Sequence, residues 1–88
     1  MARFNWLGFT NADKRETANM AIDMLDKIQD EPKEIQSAGL IVLFKIMVDL
    51  YDLNVSEVIG IAGNIMSNID GKRPEFKAVE EFMRNEWY

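Results

Sequence analysis

Three carboxylates recur at helical spacing in MAIDMLDKIQDEPK: Asp23, Asp26 and Asp30. Side chains at i, i+3 and i+7 share one face of an α-helix. Paired carboxylates do acid–base work where a pocket shifts their pKa values apart, and Glu80 with Glu81 would be a second such pair. On the outer face of an amphipathic helix they are solvated charge instead. The apolar residues Ala21, Met24, Leu25 and Ile28 fall on the opposite side of the same helix, which assigns the carboxylates to the outer face. The expectation is an acidic ridge for a basic partner rather than a catalytic dyad, and no enzyme.

SNIDGKRPEF brings Asn68, Asp70 and Gly71 together, as a calcium loop would. With Gly71 as the sixth loop position, the first is Met66 and the twelfth is Lys77, so both key ligands fail. The segment reads as a helix stop and a turn. No Gly-rich phosphate loop stands between a strand and a helix, and nothing calls for a cofactor. The chain has no Cys and no His, which removes thiolate and imidazole nucleophiles, bases and metal ligands.

NVSEVIGIAGNIMSN is the other stretch with a functional pattern. Preceded by LYDL, it loosely follows a helix-turn-helix, which makes a DNA-binding protein the alternative reading. A recognition helix needs exposed donors for bases and phosphates; here Glu57, Asn64 and Asn68 are all that remain for solvent, with no Lys or Arg. On a helical wheel Val58, Ile61, Ala62, Ile65 and Ile69 form an apolar arc, and Ser56, Gly60, Gly63 and Ser67 form a narrow stripe of small residues. Gly within a helix costs about 1 kcal/mol against Ala, so two of them call for a compensating close approach of another backbone. The stripe is expected to be a close helix crossing within the chain, or else a homodimer seam.

The elements that position these residues are all helical. T-x-x-D at Thr10 and Asp13 marks the start of a first helix, residues 11–30. Pro32 opens a second, 32–52, whose polar strip is only Glu34, Lys45, Asp49 and Asp52. A helix apolar on most sides is buried on most sides, so this one is expected at the centre, with Phe44 and Met47 nearly fully buried. N-x-x-E at Asn54 and Glu57 starts a third, 55–69, with Gly71 as a left-handed cap. A fourth, 74–87, carries Phe76, Val79, Met83 and Trp87 on one face. Residues 1–10 form an arm whose Phe4, Trp6, Leu7 and Phe9 are expected to lie over the helices.

The 88 residues make one domain: a compact all-α fold of four helices with an apolar central second helix and an aromatic N-terminal arm. The net charge of −5 disfavours nucleic acid and favours a basic protein partner. The hydrophobic fraction of 48% is high for such a short chain and leaves apolar surface for a partner to cover. The N-terminus has no h-region, and the most apolar run is broken by Lys45 and Asp49, so a cytoplasmic protein without a membrane anchor is expected. The function expected is a small acidic adaptor or inhibitor, with nucleic-acid mimicry as one way of acting; Asp23, Asp26, Asp30 and the terminal aromatic Tyr88 are the candidate contacts.

Overall fold

The computed structural model describes residues 3–87, with side chains as far as Glu86. Among them the chain forms α1 (Trp6–Thr10), α2 (Lys14–Ile28), α3 (Lys33–Tyr51), α4 (Val55–Met66), a two-stranded antiparallel hairpin of β1 (Ser67–Asn68) and β2 (Gly71–Lys72), and α5 (Pro74–Trp87). The fold is helical, as expected, but with five helices instead of four. The extra one lies in the arm, where the Asn5 side chain accepts from the Gly8 amide at 2.9 Å.

Caps fix the other boundaries. Asp13, not Thr10, starts α2: its carboxylate accepts from the Glu16 amide at 2.8 Å, while Thr10 ends α1. A carboxylate also meets the positive end of the helix dipole, which a hydroxyl does less well. Asn54 starts α4 by accepting from the Glu57 amide at 3.0 Å. Pro32 occupies the cap position of α3 without a side-chain bond. The Gln36 amide holds that corner instead, donating to the Glu31 carbonyl at 2.7 Å and the Gln29 carbonyl at 3.3 Å.

The left-handed residue that ends a helix is Asp52, after α3, and not Gly71. Gly71 has φ +118° but belongs to the hairpin. α4 stops at Met66, three residues before the end expected for the helix, and in the hairpin that follows Asn68 accepts from the Asp70 amide at 2.9 Å and turns the chain. Ile69 consequently sits at the hairpin tip, wholly exposed, and leaves the apolar arc assigned to it.

Among the described residues two small clusters make the core. Ala18 of α2, Ile65 of α4 and Phe76 of α5 form one, and α2 packs along α5 more extensively than any other pair of described elements meets. Val48, Leu53 and Val58 form the other, at the α3–α4 corner. The arm closes over this second cluster. Phe4 meets Trp6, Phe9 and Tyr51 edge-on, with ring centroids 4.9, 5.5 and 5.4 Å apart, the geometry that aromatic quadrupoles favour. Leu7 does not join them and stays exposed.

The central placement of the second helix is not what the structure shows. α3 lies at the periphery, and among the described residues no helix runs along it as α5 runs along α2. Phe44 and Met47 are half-buried rather than buried. Its wide apolar arc is real; what is missing is a cover for most of it. The accessible surface is 6757 Å² for a mass of 10.2 kDa, whereas a folded monomer of that mass exposes about 5,300 Å². The radius of gyration is 13.9 Å, against about 12 Å for a globular chain of this length.

Phe76→Ala is therefore expected to cost about 3–5 kcal/mol, and Phe44→Ala no more than about 2 kcal/mol. Urea denaturation midpoints of the two variants measure the difference, and equal losses would return α3 to the core.

Candidate functional site

α2 has three distinct sides. Ala18 and Leu25 face the core. Asp23 and Asp26 lie along a second side and are exposed; Asp30 is exposed too, but α2 ends at Ile28, two residues before the end expected for the helix, so Asp30 stands in the turn that follows it. Among the described residues none of the three reaches a cation within ion-pair distance. The third side, Met20, Met24 and Ile28, advances by about one helical turn from each residue to the next, and its Met24 and Ile28 border α3. Lys27 stands between the acidic side and this apolar one.

Between α2 and α3 runs a groove of about 550 Å³, floored by Met24, Ile28, Ile35, Gly39, Leu40 and Leu43 and rimmed by Lys27 and Glu31. It continues onto the open side of α3. Ile35, Val42, Leu43, Ile46 and Leu50 are each more than half exposed, and with Gly39 they fall within an arc of about 100° on the helix. The stripe is contiguous exposed apolar surface, which a soluble monomer ordinarily keeps small. Charge on the far border is balanced internally, since Lys45 Nζ pairs with Asp49 Oδ1 at 2.7 Å.

One polar atom in the wall of the groove is left over. Gln36 is buried, its Nε2 is used twice at the α2–α3 corner, and its Oε1 has no donor among the described residues. The amide is held in that orientation by the two carbonyls it serves, so the unpaired oxygen is the cost of the corner.

The small-residue stripe of α4 lies elsewhere. Ser56, Gly60, Gly63 and Ser67 are all exposed. A Cβ built at Gly60 or Gly63 would meet nothing within 4 Å among the described residues. The close crossing expected within the chain is thus not seen: among the described residues no neighbouring backbone approaches the two glycines. Tyr88 lies outside the described residues, as does the side chain of Trp87.

Glu80, one of the paired carboxylates, is taken up by cations. Lys72 of β2 donates to its Oε2, and Arg84 Nη2 donates to Oε1 at 3.0 Å. The bond from Lys72 and then its charge hold the Glu80 carboxyl below its usual 4.5, with Arg84 helping and partial desolvation opposing. This network fastens the hairpin to α5. Its neighbour Glu81 is exposed.

The uncovered α3 stripe was not assigned as a site from the sequence, though its signal was there: an apolar arc wider than 88 residues can cover. Among the described residues, no helix is long and apolar enough to cross a membrane. No protein-family model, curated protein or solved structure matches the chain.

Two measurements test this geometry. With open space at both glycines, Gly60→Ala and Gly63→Ala should each stabilise the fold by about 0.5–1 kcal/mol; a loss would reveal another backbone seated there. Glu80 has a folded-state pKa below its unfolded one, so its contribution is present above pH 4.5 and is lost as the pH falls through the folded value. The difference in melting temperature between the wild type and Glu80→Gln should accordingly shrink as the pH is taken below 4.5. A difference that stays constant with pH would show that the carboxylate gains nothing from Lys72.

Proposed function

We propose that the protein is a non-catalytic protein-binding module, a small acidic adaptor or inhibitor. The observation that carries this reading is the uncovered apolar face of α3 lying beside the acidic side of α2. Apolar area removed from water supplies affinity, and charge supplies rate and selection. Asp23, Asp26 and Asp30, on a chain of net charge −5, suit a partner with a basic surface. If that surface is a nucleic-acid groove, carboxylates at this spacing would occupy phosphate positions. A chain without Cys has nothing to lose in the reducing cytoplasm, where such partners are reached.

The helix-turn-helix reading has less support. The exposed side of α4 offers Glu57 and Asn64 but no Lys or Arg, so it lacks the cations that phosphate contacts require.

The test is charge reversal. Asp23→Lys, Asp26→Lys and Asp30→Lys made together should leave the circular dichroism spectrum unchanged, because all three are exposed. Association with a partner recovered from the native host should slow by about tenfold and lose most of its salt dependence. An unaltered association rate would move the contact away from α2.

A further inference from the structure

We infer that a second copy of this chain covers the α3 face, with the two α3 helices antiparallel about a two-fold axis passing between Val42 and Leu43. The inference rests on the protein-binding reading and names the occupant of its apolar face.

The first argument is area. The chain exposes 6757 Å² at 10.2 kDa, about 1,400 Å² more than a folded monomer of that mass. A standard interface removes only about 800 Å² from each partner, and permanent homodimers remove about 1,000 Å² or more. The excess is of the size that an interface of the permanent-homodimer class removes from each chain. Such interfaces resemble a domain core cut in half. The face fits that description: no charged residue lies in the stripe from Ile35 to Leu50, and its largest side chains are aliphatic and more than half exposed.

The second argument is self-complementarity. A two-fold axis at this point brings residue i of one antiparallel helix opposite residue 85 − i of the other. Ile35 then faces Leu50, Gly39 faces Ile46 and Val42 faces Leu43. All six stripe residues are used, and each meets another member of the stripe. That is the condition for an isologous contact. The pairing also sets a branched side chain, Ile46, against the one position without a side chain, Gly39, where a Cβ would meet nothing within 4 Å. A knob is thereby supplied with a hole.

The third argument is charge. A chain of net charge −5 repels its copy unless the seam itself is neutral. Here the borders are balanced. Lys45 is bonded to Asp49 on one side, and Lys27 and Glu31 rim the groove on the other. Asp23 and Asp26, without an ion-pair partner among the described residues, lie beyond Lys27 on α2 and remain available to a different partner.

The experiment is a charge exchange read by sedimentation equilibrium on the full chain. One variant carries Ile35→Lys and Leu50→Lys, the other Ile35→Glu and Leu50→Glu. The wild type should sediment at twice the 10.2 kDa chain mass. Each variant alone places like charges opposite one another and should sediment as one chain, while an equimolar mixture should return to the two-chain mass. Should a variant lose helix on its own, recovery of the circular dichroism signal in the mixture carries the same support. A wild type that sediments as one chain at every concentration overturns the second copy but leaves the protein-binding reading to the charge-reversal test on α2. A wild-type dimer that the substitutions leave intact overturns the α3 seam and transfers it to the Gly60 and Gly63 side of α4. Variants that dissociate alone and fail to associate when mixed overturn the antiparallel register.

Discussion

The fold depends on a single competition, for the core-facing side of α2. That side is marked by Ala18 and Leu25, and α5 takes it by setting Phe76 against the small Ala18, with Ile65 of α4 closing the cluster. A side chain as small as Ala lets a helix come close, and close packing is where dispersion accumulates. Once α5 is seated, α2 has only its groove side left for α3. The helix with the most apolar residues is therefore left, among the described residues, without a neighbour along its length.

Charge and apolar surface are kept apart by the same geometry. α2 shows carboxylates on one side and methionines and Ile28 on another, with Lys27 between them. Methionine suits a surface that meets a partner, being unbranched and polarisable and able to fit an uneven neighbour. The corner between α2 and α3 is stiffened by Gln36, which spends both amide protons on backbone carbonyls. These two bonds tie the start of α3 to the turn at the end of the groove.

Local features were legible in the sequence and long-range ones were not. Asn54 with Glu57 announces α4, and Pro74 announces α5, because capping and proline geometry are decided within a few residues. The acidic side of α2 follows from periodicity. Thr10 misled because Thr and Asp both cap, and only the fold-back of α1 decides for Asp13. Ile69 misled because a helical wheel carries on through a turn that Asn68 and Gly71 impose. The largest discrepancy, α3, has a plainer cause. An apolar arc states that a helix will be covered, but periodicity within one chain does not tell whether the cover is an element of that chain or of another. Gly60 and Gly63 raise the same ambiguity on α4.

The α2–α5 contact also closes a long loop, with α3, α4 and the hairpin inside it. Closing such a loop costs entropy that grows only with the logarithm of its length. Helices forming within it shorten the distance to be closed, and α3 takes part in that closure through its ends: Gln36 at one corner, Val48 and Leu53 at the other. The outward residues between those ends are not asked to hold the chain together. Substitutions there are filtered by what they touch outside the molecule and hardly at all by folding, so over evolutionary time this face can change partners while the core beneath it stays constant.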